Sequence, residues 1–117
     1  MDVAVKYAVS CIVDQELEYA YKKHPEFPKG FEGAVIILEE LGELAKECND
    51  RWHTERSKRT QKEGDIAMAQ EAAQVAVTAI RFLQTAVLNG LDVDAVLQAI
   101  DKKTRELHNT DTDTENF

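Results

Sequence analysis

Apolar residues recur at three- and four-residue intervals along most of this chain, and three interruptions divide the pattern into four predicted helices. The first runs from about Asp2 to Lys23, with Asp2 as its N-cap and an uneven apolar face of Val5, Ala8, Val9, Ile12, Leu17 and Ala20. His24-Pro25-Glu26-Phe27-Pro28-Lys29-Gly30 ends it, because two prolines and a glycine cannot continue a helix. The second helix covers about Phe31 to Trp52. A polar, basic connection follows from His53 to Gly64, as a loop or a frayed helix. The third helix runs from about Asp65 to Asn89, where Asn89-Gly90 is a stop signal. Asp92 caps the fourth, which reaches about His108 through Val93, Val96, Leu97, Ile100 and Leu107. The acidic remainder, Asn109 to Phe117, lacks periodicity and is expected to be a disordered tail beyond a single all-α domain of residues 1–108.

Two of these helices carry polar residues where burial is expected. With Leu41 as origin and about 100° per residue, Ala34, Ile37, Leu38, Leu44, Ala45 and Cys48 fall within roughly 60° of it as a core stripe. Glu39, Glu40, Glu43 and Glu47 occupy an opposite arc of about 100°, and Ile36 lies in the middle of it. Glutamate is a good helix former, so a wetted acidic face is the simplest account of the arc alone. The third helix adds weight to a second account. From Ala72 to Leu88 it is apolar almost all round, which predicts burial on nearly every side. Its polar exceptions, Glu71, Gln74, Thr78 and Arg81, form one stripe at i, i+3, i+7 and i+10 and need partners. The acidic arc of the second helix can face that stripe. Several carboxylates between two helices suit magnesium or manganese, which take oxygen ligands.

Charge and composition narrow the partners. A net charge of −8 disfavours nonspecific nucleic-acid binding and attraction to an anionic membrane surface. No apolar stretch approaches the roughly 20 residues that cross a bilayer. Met1-Asp-Val-Ala-Val-Lys6 carries no basic-then-apolar secretory pattern, so a cytoplasmic protein with two reduced cysteines, Cys11 and Cys48, is expected. His24, His53 and His108 have no carboxylate three residues before them, which removes the Glu-x-x-His ligands of di-iron bundles. Zinc spacing, a nucleophile elbow and a P-loop are likewise absent from the sequence. Thr78 is expected to back-bond to its own helix. Arg81 is equally a salt-bridge partner or a phosphate ligand, and Trp52 could stack on a base, although such a residue is more often core or rim. The basic connection that includes Lys58 is the one concentrated site for phosphate attraction.

Ile37-Leu38-Glu39-Glu40-Leu41-Gly42-Glu43-Leu44 resembles the EExxE signature of the MazG-like all-α nucleoside triphosphate pyrophosphohydrolases. That family places ExxD on the next long helix, where this chain has Glu71-Ala72-Ala73-Gln74 and then an Ala/Val run. The chain is similar to a phage and bacterial branch with Glu-x-x-Gln at that place and a charged segment upstream, comparable to Asp14-Gln15-Glu16. The similarity spans about residues 14 to 88. It implies a four-helix, bundle-like MazG-type fold completed by assembly into a homodimer or homotetramer. It also implies hydrolysis of a nucleoside triphosphate to monophosphate and pyrophosphate with Mg2+, or Mn2+. Glu39, Glu40, Glu43 and Glu71 would then be metal ligands, with Gln74 in the place of the family's Asp. Glu39 or Glu43 would orient the attacking water, and Arg81, Lys58 and Trp52 would contact substrate. Gln74 brings one negative charge fewer than Asp, which weakens metal affinity and leaves a nucleotide- or metal-binding module without turnover, or a structural oligomer, as the alternatives.

Overall fold

In the computed structural model, residues 1–53 and 59–115 are described, with side chains described to residue 109. The described chain forms four helices and no strand: α1 (Val3–Lys23), α2 (Phe31–Trp52), α3 (Gln61–Leu88) and α4 (Val93–Glu115). An all-α fold is what the sequence predicts. The chain divides into two compact units, Met1–Thr85 and Ala86–Phe117. No described helix is long and apolar enough to cross a membrane.

Local chemistry accounts for the helix ends. The Asp2 side chain accepts from the Ala4 and Val5 amides at 2.8 and 3.4 Å, so the predicted N-cap forms. α3 begins at Gln61, four residues before the expected Asp65, and the reason is legible in Thr60-Gln61-Lys62-Glu63. Thr60 Oγ1 accepts from the Glu63 amide at 3.2 Å and donates to the Glu63 carboxylate at 3.1 Å, a side-chain N-cap that starts the helix earlier. Arg51 then pins the ends of α2 and α3 together through Asp65 at 2.8 Å.

At its other end α3 stops as Asn89-Gly90 requires. Gly90 takes φ of 96°, and the amides of Gly90 and Leu91 bond back to Val87 and Ala86. Asp92 Oδ1 accepts from the Ala95 amide at 3.0 Å and opens α4. That helix continues to Glu115, past the expected end near His108. Its Thr/Asp repeat has neither Pro nor Gly to stop the helix, and those residues cost only tenths of a kcal/mol each, about 0.5–0.7.

Within the first unit, the core is built on α3: Ala73 and Val77 are buried, and Gly33 of α2 packs beside Phe82. A Cβ at Gly33 would come within 2.5 Å of the Pro28 carbonyl oxygen, so only glycine allows the α1–α2 connection to lie against α2. Two expectations about faces are corrected here. The stripe centred on Leu41 is not the core face of α2: Leu38 and Leu41 are 66% and 49% exposed, and Ala45 and Cys48 are exposed too. The half-buried and buried positions are Gly33, Val35, Ile36, Ile37, Glu40, Leu44, Glu47, Asp50 and Arg51, so α2 turns part of its acidic arc inward. Similarly, Val5, Val9 and Ile12 of α1 stand exposed, and the covered positions are Cys11, Val13, Glu16, Leu17 and Ala20. An apolar stripe does not by itself fix which face of a helix the chain packs inward.

α3 is also less enclosed than its composition predicts. Ala72, Ala79 and Leu83 line an exposed strip, and the enclosed side carries Glu71, Ala73, Gln74, Val77, Thr78 and Arg81. The polar stripe therefore lies on the inward side.

Candidate functional site

Three carboxylates meet where α2 and α3 face each other. One oxygen each from Glu40, Glu43 and Glu71 lies within 4.8 Å of the others. Helical geometry brings Glu40 and Glu43 together at i, i+3 on α2, and Glu71 enters from the inward side of α3. Glu40 and Glu71 are half-buried, and Glu43 is exposed. One buried oxygen of Glu40, Oε2, and one of Glu71, Oε2, have no hydrogen-bond partner among the described residues.

Such crowding acts on the protons. Burial first, then the charges of Glu43, Glu39 and Glu16, raises the Glu40 carboxyl above the ordinary glutamate value. Glu71 is raised by burial first, then by the Glu43 and Glu40 charges, by a hydrogen bond with Glu43 and by Glu47. Two carboxyl groups can share a hydrogen bond only if one keeps its proton. Either a proton or a cation must therefore relieve the cluster. Its donor set of hard carboxylate oxygens, two of them buried and unpartnered, fits Mg2+ or Mn2+ and does not fit a soft metal.

Beside the cluster lies a cavity of about 350 Å3 between α1, α2 and α3. Glu40 lines it and is also a member of the three-carboxylate cluster, so the two are contiguous. Tyr19, Phe27, Ile36 and Val77 supply apolar wall, and Glu16, Gln74, Thr78 and Arg81 supply polar wall. Arg81 is only 5% exposed. It donates to the His24 carbonyl, and its guanidinium lies 4.9 Å from the Tyr21 ring centroid and 5.3 Å from that of Phe27. Its Nε has no partner, and no carboxylate pairs with it among the described residues. Tyr21 is itself anchored by its hydroxyl donating to Gln84. The α1–α2 connection is thus tied down on α3 by an arginine and two rings.

The sequence-predicted residues separate into three groups. Glu40, Glu43 and Glu71 converge. Glu39 is exposed and outside the convergent set, and reaches it through its charge on Glu40. Gln74 and Arg81 line the cavity. Thr78 donates to the Val75 carbonyl at 2.9 Å, the expected back-bond. Trp52 is not at the cavity: it is 82% exposed and lines a separate shallow depression with Cys48, Asn49 and Met68. Lys58 lies outside the described residues. Glu47 pairs with Arg59. Glu16 is the residue that sequence reasoning undervalued: quoted only as part of an upstream segment, it lies on the covered side of α1, lines the cavity and acts on Glu40. Its signal was a four-residue step to Ala20 on a face where apolar residues were expected. Among known family models, curated proteins and solved structures, none matches this chain.

Proposed function

We propose that the protein is a divalent-metal-dependent nucleoside triphosphate pyrophosphohydrolase of the MazG-like kind, acting in the cytoplasm. The observation that carries this reading is the convergence of Glu40, Glu43 and Glu71 from two helices onto a space less than 5 Å across, beside a cavity. A nucleoside triphosphate brings about four negative charges, and bare carboxylates repel it. Glu40, Glu43 and Glu71 would hold Mg2+ or Mn2+. When bound, the ion offsets the phosphate charge, polarises phosphorus and lowers the pKa of the attacking water. Glu39 or Glu43, the more exposed acids, would accept a proton from that water. The remaining task of the protein is positioning.

Incubating the pure protein with each ribo- and deoxyribonucleoside triphosphate and Mg2+ or Mn2+ tests the proposal. The expected result is pyrophosphate and monophosphate from at least one nucleotide, lost in EDTA. Release from none of them removes the enzyme reading. A non-catalytic nucleotide- or metal-binding module is the second reading, favoured by Gln74, which carries no charge where the family has Asp.

The same proposal includes a homodimer or homotetramer. The Leu38, Leu41, Ala45 and Cys48 stripe is apolar and uncovered, and a second copy offers it a partner. Sedimentation should show a dimer or tetramer that Leu41→Glu shifts toward monomer. A wild-type chain that stays monomeric at tens of micromolar excludes it.

A further inference from the structure

The chain leaves more surface open than a protein of its mass normally does. It exposes 9505 Å2 at 13.2 kDa, where a folded monomer of that mass exposes about 6,400 Å2. Two separate bodies with the lengths of its two units would expose about 7,600 Å2 by the same scaling, so the excess holds whether the units are counted together or apart. About 2,000 Å2 therefore awaits a cover, more than the roughly 800 Å2 per partner of a standard interface. Among the described residues, only Ala73 and Val77 are buried apolar side chains.

α2 shows where a cover fits. Ala34, Leu38, Leu41, Ala45, Cys48 and Trp52 are all exposed, and their alternating steps of four and three residues make an unbroken heptad seam. Antiparallel pairing centred on Glu43 sets Leu41 on Ala45, Leu38 on Cys48 and Trp52 on Ala34 of a second copy, a large residue on a small one in every layer. Parallel pairing sets Trp52 on Trp52 and Ala34 on Ala34, which overfills one layer and empties another. The depression of about 320 Å3 that Trp52 and Cys48 share with Asn49 and Met68 lies where Leu38 of the second copy enters. Gly42, beside the midpoint, has open space where a Cβ would stand, so a second helix can approach closely.

We propose that α2 pairs with α2 of a second copy as an antiparallel seam centred on Glu43, with Trp52 as its anchor rather than a substrate contact. This deepens the assembly part of the proposed function and rests on it, but not on turnover. It adds the helix, its direction and its register. Glu40 and Glu43 lie on the opposite arc of α2, so pairing leaves the carboxylate cluster open.

Thiol crosslinking of the full chain reads the register. In a Cys11→Ser background, Leu38→Cys should oxidise to a covalent dimer whose tryptic peptides join positions 38 and 48, and adding Cys48→Ser should abolish it. The parent, with Cys48 alone, should give about a tenth of that product or less, because the two Cys48 residues lie about 15 Å apart along the pair. Trp52, the single tryptophan, gives a second reading in the wild-type chain. Its emission should be blue-shifted where sedimentation shows a dimer, and should move to longer wavelength in Leu41→Glu. A Cys48–Cys48 crosslink in the parent overturns the antiparallel register. A dimer with no 38–48 crosslink, or with the emission of a water-exposed indole, overturns the α2 pairing and leaves assembly to another face. A chain that stays monomeric at tens of micromolar removes both.

Discussion

Glu71→Gln should cut metal-dependent pyrophosphate release by about a hundredfold or more, the loss expected when a ligand that holds the activating ion is neutralised. Glu71 is the sole member of the convergent set contributed by α3, so its removal leaves Glu40 and Glu43 on one helix with nothing opposite. The same substitution should have the opposite sign on the metal-free fold. It deletes a half-buried charge that faces Glu43 and Glu40 and keeps the volume of the side chain, so the melting temperature in EDTA should rise. An ordinary structural residue loses activity and stability together. Activity within a few-fold of wild type, or a lowered melting temperature in EDTA, would refute the metal assignment of Glu71.

The second large effect is a melting curve whose pH dependence is reversed by metal. Glu40 and Glu71 have carboxyl groups raised above the ordinary glutamate value, mainly by burial. A raised carboxyl favours the fold fully below its unfolded pKa, and that contribution is lost as pH rises through the folded pKa. Wild-type protein in EDTA should therefore lose melting temperature as pH rises above the ordinary glutamate range, relative to Glu71→Gln measured alongside. Other carboxylates change stability in the same range, and the paired comparison removes them. A divalent ion needs the deprotonated forms, so its stabilisation grows as pH rises over the same window. At a concentration about a hundred times Kd it adds about 2.7 kcal/mol, on the order of 10 °C for a chain of this size. Equal stabilisation of wild type and Glu71→Gln by Mn2+ would show that the ion binds elsewhere.

The caps at Asp2 and Asp92 and the stop at Asn89-Gly90 were readable because each depends on a side chain or glycine acting on its own few neighbours. Thr60-x-x-Glu63 was equally local, and a wider window on the basic connection would have moved the α3 start to Gln61. The inward polar stripe of α3 was legible for a related reason: four polar residues at helical spacing on an apolar helix must share a side. The exposed Leu38 and Leu41 were not foreseeable, because periodicity measures the angle between stripes and is silent on which stripe this protomer covers.

Pattern alone thus determined the four helices, most of their ends, and the grouping of Glu40 with Glu43 and of Glu71 with Gln74 and Arg81. Only the tertiary structure decided that Glu71 meets Glu40 and Glu43 while Glu39 stays outside, that Trp52 stands apart, and that Glu16 and Gln74 share a cavity. Spacing along one helix is set by backbone geometry, which every residue carries with it. Which faces of different helices meet depends on packing contacts distant in sequence, such as Gly33 against Pro28 and Phe82, or Arg81 against the rings of Tyr21 and Phe27.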